Sequence, residues 1–329
     1  EAHGARVVDV DGHEYVDFCL GDTGSFPGHS PEATVRALVE RASTRGGITT
    51  MLPTEDAAWV GRELARRFGL PYWSFTLTAT DANRFVLRLL RQITGRRLVV
   101  VNSWCYHGSV DEAIVVLEDG ETRSRWGNVA PQVDPTTTTR AVEYNDLDGL
   151  ERALAGRDVA CVLMEPALTN IGIVLPEPGY LEGVRELTRA TGTLLVNDET
   201  HTFSAGPGGC TGAWGLEPDV VTIGKSLASG VPIGAYGVSA EVARLIGSQD
   251  DVDYIDTGGI GGTLAGNQLS LAVARATLGE VLTEEAFVGM TALATRFTEG
   301  VQGVLDDRRV PWSIAQLGAR AEVRFCPEP

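Results

Sequence analysis

Residues 219–235 read DVVTIGKSLASGVPIGA, an apolar run followed by a glycine, a lysine and a glycine-containing turn. Lys225 is the single lysine of a 329-residue chain that carries 26 arginines. A guanidinium does not lose its proton in proteins, whereas a neutral amine can attack a carbonyl carbon. Open α/β sheets bind their ligands at the carboxyl ends of the strands. The stretch therefore predicts a buried strand whose end presents a nucleophilic amine.

The chain contains five apolar runs of strand length, including the one just quoted. They are 73–77, 97–102, 159–164, 193–197 and 219–223. Helical apolar spacing occupies the intervals and the region before them, at 32–46, 55–68, 81–94, 147–155, 179–191 and 267–282. Continuous apolar strands that alternate with helices predict an α/β fold with a mostly parallel sheet sandwiched by helices.

The two ends of the chain carry weaker signals. Residues 6–18 alternate apolar and polar positions around Asp11-Gly12, which predicts a hairpin. Residues 131–140 and 250–262 are predicted loops, and 320–325 is a predicted strand.

The composition limits the possible partners. The net charge is −17 and the pI about 4.7, which argues against nucleic acid and against an anionic membrane surface. No apolar run approaches the roughly 18 residues of a membrane span. The five scattered cysteines have no zinc-binding spacing, so we expect no metal site and a reducing cytoplasm.

Three further groups follow strands of the predicted sheet. Asp198 ends the run TLLVND, and a carboxylate there is suited to hold a protonated pyridine nitrogen. Thr78, Ala79 and Thr80 precede a helix, whose N-terminal N–H groups form an anion site. Tyr106 offers an aromatic face for a flat ring.

With these residues in view, the chain resembles the class III, fold-type I aminotransferases that use pyridoxal 5'-phosphate (PLP), on their glutamate-1-semialdehyde aminomutase side. The similarity extends from about residue 4 to residue 282, in family order. The matching stretches are DVDGHEYVDF, PGHSPEA, TATDANRFVLRLLRQITGR, CYHG, MEPALTNIG, PEPGYLEGVRELT, VNDETHT, PDVVTIGKSLASGVPIGA and GGTLAGN.

The resemblance implies a role for each matching residue. Lys225 would form the Schiff base, and Asp198 would partner the pyridine nitrogen. The remaining positions would bind the cofactor: Thr78, Ala79 and Thr80 its phosphate, Tyr106 with His107 the ring, Asn170 the neighbourhood of the ring hydroxyl, Thr200 the underside of the ring, and Thr263 the phosphate of the neighbouring subunit. His201 would form a hydrogen bond with the ring hydroxyl or with the substrate. The implied assembly is a homodimer with shared active sites.

Three departures from the family pattern stand out. Ala79 replaces a glycine of the phosphate-binding turn, and we expect it to restrict the backbone there. Thr200 replaces the usual valine and adds a hydroxyl. The family's Gly-Phe-Arg after the Asp-Glu pair is replaced by residues 202–204, TFS, so no substrate carboxylate site is carried over.

The resemblance also implies a domain plan and a reaction. The expected plan is an N-terminal segment of the small α+β domain at 1–45, a large PLP-binding domain at 46–282, and the start of a truncated C-terminal small domain at 283–329. The expected activity is a cytoplasmic aminotransferase that moves an amino group from a small-molecule donor to a keto acid by a ping-pong mechanism. Three alternatives stay open: an aminomutase of the glutamate-1-semialdehyde type, a racemase or epimerase, and a catalytically idle PLP-binding protein.

Overall fold

The computed structural model describes residues 1–130, 134–249 and 258–327. The strands in chain order are β1 (Ala2–His3), β2 (Arg6–Val8), β3 (Glu14–Val16), β4 (Tyr72–Thr76), β5 (Leu98–Asn102), β6 (Val115–Glu118), β7 (Glu121–Ser124), β8 (Thr139–Val142), β9 (Val159–Met164), β10 (Leu194–Asp198), β11 (Val220–Ile223), β12 (Gly234–Val238), β13 (Ser313–Leu317) and β14 (Arg320–Arg324). The α-helices are α1 (Glu32–Glu40), α2 (Glu55–Phe68), α3 (Ala79–Thr94), α4 (Leu147–Leu154), α5 (Tyr180–Thr191), α6 (Gly209–Ala213), α7 (Ala240–Gly247), α8 (Gln268–Ala276) and α9 (Glu284–Arg308).

The central element is a seven-stranded sheet in the order β4-β12-β11-β10-β9-β5-β8. The four strand pairs from β11 to β8 are parallel, while β12 runs antiparallel to both of its neighbours. All five predicted strands are present with ends within one residue, so the prediction of a mostly parallel α/β sheet is confirmed. β12 was not predicted from the sequence.

Helices cover both faces of the sheet, because alternate residues of a buried strand point to opposite sides. In β5, Val99 and Val101 join a core cluster with α3, whereas Val100 joins one with α4 and α5. Residues of β11 and β12 pack against α2 and α8 in a third cluster. The sheet is thus buried on both faces, as its continuous apolar strands predicted.

Most predicted helices are confirmed with small shifts at their ends. The helix predicted at 81–94 begins earlier, at Ala79, with Thr78 as its N-cap. The segments predicted at 32–46 and 267–282 are α1 and α8, each continued by one π-helical turn, at Arg41–Arg45 and Thr277–Val281. The predicted hairpin is formed by β2 and β3 and turns at Gly12, whose φ is +85°.

The prediction of a loop over 131–140 is wrong at its end. Thr139 and Arg140 belong to β8, which pairs in parallel with β5, whereas 131–133 lie outside the described residues. The polar run of threonines did not suggest a strand. The strand lies at the edge of the sheet, where only one of its sides needs a hydrogen-bonded partner. Of the loop predicted at 250–262, residues 258–262 contain neither helix nor strand, and 250–257 lie outside the described residues.

The C-terminal region contains α9, which the sequence did not predict, and the hairpin of β13 and β14. The strand predicted at 320–325 is confirmed as β14. Helix α9 buries only Phe287, Ala294 and Leu305 among its 25 residues, so its apolar periodicity is weak. No helix within the described ranges combines the length and the apolar character that crossing a membrane requires.

Candidate active site

Three strands, of which β10 and β11 are adjacent and β4 is separated from β11 by β12, bring the predicted residues to one edge of the sheet. β10 ends at Asp198 and β11 at Ile223, two residues before Lys225, while β4 ends just before Thr78. In the parallel pairing of β10 with β11, Asp198 lies opposite Thr222. Beyond the strand ends is a cavity of about 480 Å³. Its lining includes the predicted residues Thr78, Ala79, Thr80, Tyr106, His107, Asp198, Thr200, His201 and Lys225.

Lys225 is the first residue of a short 3₁₀ turn, and its backbone conformation is unusual. Its φ is +50°, a conformation that costs a residue with a side chain roughly 1–2 kcal/mol. Its Nζ donates to the main-chain oxygen of Asp22 at 3.1 Å and also to the Asp22 carboxylate. The Lys225 side chain is 22% exposed. The amine therefore has an ionic partner from the N-terminal segment, which the sequence did not reveal.

This pairing lowers the pKa of the Asp22 carboxyl group. Burial alone would raise the pKa of its carboxyl group, but the hydrogen bond and the charge of Lys225 outweigh burial and hold the pKa below its usual value. Asp22 is consequently an anion beside the lysine. Its backbone is also left-handed, with a φ of +52°, as is that of the adjacent Thr23 at +65°.

Asp198 is a buried carboxylate surrounded by donors. Its Oδ2 accepts from His107 Nδ1 at 2.8 Å and from Asn83 Nδ2 at 2.9 Å, and its Oδ1 accepts from the Thr200 N–H at 3.0 Å. Burial opposes the charged form, but the hydrogen bond and charge of His107 dominate and lower the pKa of Asp198 to about 2. Asp198 is thus ionised at neutral pH, and a carboxylate can accept about four hydrogen bonds.

His107 is fully buried against this carboxylate. Burial would lower its pKa, but the neighbouring Cys105 and Asp198 raise it well above its usual value. Its Nδ1 is bound to Asp198, and its Nε2 has no partner among the described residues. The pair is therefore an internal salt bridge at the base of the cavity.

The turn before α3 is packed tightly by glycines. A Cβ at Gly108 would lie 2.0 Å from Thr80 Oγ1, one at Gly224 would lie 2.8 Å from the Ala79 Cβ, and one at Gly234 would lie 2.3 Å from the Thr78 oxygen. The Thr78 hydroxyl caps the helix by accepting from the Asp81 N–H at 3.2 Å. The Ala82 N–H donates to the Thr78 oxygen, so in the first turn of α3 the N–H groups of Ala79 and Thr80 are the ones left for an anion.

The expected effect of Ala79 is not seen in the backbone. The φ of Ala79 is not positive. Its backbone conformation is therefore one that alanine adopts without strain, and glycine is not required there. Asp81 lies on the other side of the turn, where it lines a larger cavity of about 830 Å³ along α3. That cavity contains neither Lys225 nor Asp198, so size alone does not identify the site.

Thr200 and His201 line the cavity from the segment after β10. The Thr200 Oγ1 is buried without a hydrogen-bond partner among the described residues. His201 Nδ1 contacts Thr23 Oγ1 at 3.1 Å and Arg320 Nη1 at 3.3 Å. Burial, followed by the charges of Lys225 and Arg320, lowers the pKa of His201 to about 4, so this imidazole is neutral at pH 7.

Two predicted cofactor residues do not line the cavity of their own chain. Asn170 is exposed, and its Nδ2 donates to the Trp104 oxygen at 3.1 Å. Thr263 is exposed in the loop before α8. The cavity therefore gathers nine of the eleven predicted residues, and the roles of Asn170 and Thr263 stay predictions.

Sequence reasoning missed several side chains that support the site. Asn83 donates to Asp198 and to the His107 oxygen, and its Oδ1 accepts from the Thr222 hydroxyl at 2.8 Å. An asparagine on the buried face of an amphipathic helix was the available signal. No sequence signal marked Asp22 or Arg320, because each reaches the site from a distant part of the chain.

The donor set of the cavity fits PLP. An ionised, buried Asp198 with spare acceptor capacity suits a pyridinium N–H, and the helix N-terminus suits a phosphate. Tyr106, which is 44% exposed, also lines the cavity. The unpaired Thr200 hydroxyl is a buried polar group that a ligand atom would satisfy.

Comparisons with known proteins agree with this chemistry. The family model of the class III aminotransferases matches residues 1–325. The glutamate-1-semialdehyde 2,1-aminomutase of Chloroflexus aggregans is 34% identical over 324 residues, which cover 96% of this chain and 72% of the relative. That of Desulfitobacterium hafniense strain Y51 is 31% identical over 100% of this chain and 76% of its own length.

Solved structures give the same picture. A glutamate-1-semialdehyde aminomutase from Pseudomonas aeruginosa PAO1 is 50% identical with a TM-score of 0.95, covering 100% of this chain and 73% of the other. A lysine-to-alanine form of that protein was solved in complex with PMP. An omega-transaminase from Sphaerobacter thermophilus is 29% identical with a TM-score of 0.89, covering 100% and 76%. This chain belongs to the class III aminotransferases, a family of PLP-dependent fold-type I enzymes that act on small molecules.

Proposed function

We propose that this protein is an aminomutase of the glutamate-1-semialdehyde type, which moves an amino group between neighbouring carbons of one small carboxylic acid. The observation that carries the proposal is the 50% identity, over the whole chain, to the Pseudomonas aeruginosa aminomutase. The aminomutase names of curated relatives at 30–34% identity support it. The intermolecular aminotransferase expected from the sequence becomes the second candidate.

The same residues would serve both reactions. Bound PLP supplies an electron sink for the carbanion formed when the substrate loses a proton. Lys225 would anchor the cofactor, and its free Nζ would accept the proton from the substrate carbon and return it. Asp198 would hold the ring nitrogen protonated by its charge, with His107 and Asn83 keeping the carboxylate in place. The Thr78–Thr80 turn would hold the phosphate, and Tyr106 would pack on the ring.

Residues of the N-terminal segment also line this cavity, namely Gly21, Asp22, Gly24 and Ser25. An aminomutase must retain the substrate skeleton while the amino group changes carbon. Contacts from this segment would help to hold that skeleton in place.

A specific observation keeps the aminotransferase reading as the second candidate. The structural neighbours include an omega-transaminase at 29% identity and an ornithine aminotransferase from Toxoplasma gondii at 26%, with TM-scores of 0.89 and 0.83. We further propose the homodimer that the resemblance implies, with the exposed Thr263 facing the partner's phosphate.

The test follows the fate of the amino group. The holoenzyme is given 15N-labelled glutamate 1-semialdehyde without any keto acid, and the products are analysed by mass spectrometry. We expect 5-amino-4-oxopentanoate that retains the label, with no net release of a deaminated acid. Lys225→Ala serves as the inactive control. Turnover that starts only when a keto acid is added, with the label appearing in a new amino acid, would establish the aminotransferase instead.

A further inference from the structure

Glu165 is a second buried carboxyl group at the strand ends, next to Asp198. The strands β9 and β10 are paired in parallel with Met164 opposite Asn197, and the next residues along the two strands are Glu165 and Asp198. Neighbouring strands of a sheet are about 4.8 Å apart, and residues in register point to the same face. Both residues are 2% exposed. Two carboxyl groups therefore share one region from which water is excluded.

The two carboxyl groups differ in their hydrogen bonds. Asp198 accepts from three donors, as described above. Glu165 accepts from the Thr169 hydroxyl at Oε2, whereas its Oε1 is buried with no hydrogen-bond partner among the described residues. Burial, to which the charge of Asp198 adds, raises the pKa of Glu165 to about 7 against the opposing effects of His107 and Thr169. In the unloaded protein, Glu165 is thus the carboxyl group that keeps its proton.

The other groups that face Glu165 leave the region without net charge. His107, whose pKa is raised well above its usual value, is paired with the ionised Asp198. Tyr144 and Cys210 also interact electrostatically with Glu165, and burial raises the pKa of both, so neither is charged at neutral pH. One imidazolium and one carboxylate therefore balance each other as long as Glu165 is protonated.

Binding of the cofactor changes this balance. A protonated pyridine nitrogen beside Asp198 adds one positive charge to the buried region. A positive charge a few ångströms away favours the ionised form of a carboxyl group. Asp198, with a pKa of about 2, is ionised already and cannot respond. Ionisation of Glu165 would restore neutrality.

We propose that Glu165 supplies the counter-charge of the bound cofactor: it is protonated in the unloaded protein and releases its proton to the solvent when the pyridinium ring binds beside Asp198. The carboxyl O–H bond is the one that breaks, and no group is oxidised or reduced. Glu165 is a positioning residue, because it acts through Asp198 and His107. Its charge favours the protonated ring nitrogen on which the cofactor's electron sink depends. The proposal goes beyond the proposed function, since an aminomutase and an aminotransferase would both use this charge.

The experiment counts the protons released when pyridoxamine 5'-phosphate (PMP) binds to the full chain freed of cofactor. PMP carries the pyridine ring and the phosphate but cannot form the covalent link to Lys225. Titration calorimetry in two buffers of different ionisation enthalpy gives the number of protons. At about pH 6 the parent protein should release roughly half a proton to one proton more than Glu165→Gln, because Glu165 is mostly protonated there before binding. Other titrating groups are common to both proteins and cancel in the difference.

The affinity for PMP should report the same proton. The loaded protein holds Glu165 with a lower pKa than the unloaded protein, so ionisation of Glu165 strengthens binding. The advantage of the parent over Glu165→Gln should be fully present above about pH 7. It should shrink as the pH falls below that value, by up to about tenfold per pH unit.

Two further variants separate this effect from a change in the fold. Glu182→Gln, at an exposed position in the first turn of α5, should release as many protons as the parent. Thr169→Val leaves the Glu165 carboxyl group in place but removes the hydroxyl that donates to it. The loss of this donor raises the pKa of Glu165, so the affinity of this variant should level off at a higher pH than that of the parent.

Equal proton release by the parent and Glu165→Gln would overturn the proposal, because the proton would then come from another group such as His107. A parent affinity that falls relative to Glu165→Gln as the pH rises would overturn it as well. If Glu165→Gln does not fold, a pH profile of Thr169→Val identical to that of the parent has the same consequence. These readouts are independent of the carbon or the acceptor to which the amino group moves.

Discussion

Lys225 and Asp22 are 203 positions apart in sequence, yet Nζ of Lys225 lies 3.1 Å from the Asp22 main-chain oxygen and pairs with the Asp22 carboxylate. The contact joins the end of β11 to the N-terminal segment. Both residues line the cavity that the N-terminus of α3 and Asp198 also line. The N-terminal residues are thus a wall of the site, and the amine has a defined position before any cofactor carbonyl reaches it.

Lys225 is expected to carry the cofactor covalently. The PLP-loaded protein is reduced with borohydride, digested and mapped by mass spectrometry, and the pyridoxyl mass should lie on the peptide that contains Lys225. Lys225→Arg keeps a cation beside Asp22 but cannot form the bond, so it is the control. The remaining primary amine of the chain is its α-amino group. A label found there, with Lys225 unmodified, would contradict the assignment.

Asp198→Asn is expected to fold and to slow the proton-transfer half-reaction by about 10²-fold or more, the usual cost of removing a preorganised electrostatic group. The amide cannot stabilise a pyridinium by charge. The measurement is the single-turnover rate at saturating substrate, read from the cofactor absorbance. Asp219→Asn is the control, because Asp219 lies just before the other end of β11 and pairs with Arg185. Equal rates for both variants would remove Asp198 from the mechanism.

Gly108→Ala is expected to weaken cofactor binding about tenfold by pushing the Thr80 turn out of position. The new Cβ would lie 2.0 Å from Thr80 Oγ1, and overpacking of this kind costs about 1–3 kcal/mol. Gly120→Ala has a matching backbone cost, since the two φ values are +82° and +79°, but its Cβ would meet no atom within 4 Å. PLP titration of the two apoproteins should separate them; equal affinities would show that the turn does not hold the phosphate.

Thr263→Ala is expected to reduce cofactor retention severalfold while the covalent link at Lys225 remains, since one anion contact supplied by the partner is lost. Light scattering should show a dimer for the parent protein and the variant. Thr137→Ala, at another exposed threonine, should retain the cofactor normally. A parent protein that is monomeric, loaded and active would refute the shared site.

Glu165 is expected to make stability depend on pH. Burial, only partly offset by His107 and Thr169, raises its pKa to about 7 from an ordinary 4.5. Between these values the folded state holds a proton that the unfolded state has released. The stability contributed by this proton is therefore present below pH 4.5 and is lost as the pH rises toward about 7, by a few kcal/mol in total.

Glu165→Gln removes this titration. The variant should gain stability relative to the parent as the pH rises through that range, and the gain should level off above about pH 7. Thermal melting of both proteins from pH 4.5 to 8 provides the comparison. Glu182→Gln, at an exposed position in the first turn of α5, should show no such trend. A constant difference between Glu165→Gln and the parent at every pH would contradict the shift.

The strands that the sequence predicted are those with an unbroken apolar run, because burial on both faces of a parallel sheet requires one. β12 was missed since its sequence GAYGV contains two glycines, which are rare in strands. The structure shows why a glycine is needed: a Cβ at Gly237 would lie 2.5 Å from the Trp73 ring. That requirement comes from a neighbouring strand far away in sequence, so no local pattern predicts it.

The sequence by itself determined the chemical groups of the site: a solitary lysine after one strand, an aspartate ending another, and a threonine turn before a helix. Strand periodicity then carried these groups to one edge of the sheet. Only the tertiary structure decided which partners they meet. Asn83 and His107 fix Asp198, Asp22 pairs with Lys225, and Arg320 reaches His201 from a hairpin near the end of the chain. Such contacts depend on how distant segments pack, and this packing leaves no periodic trace in the residues that make them.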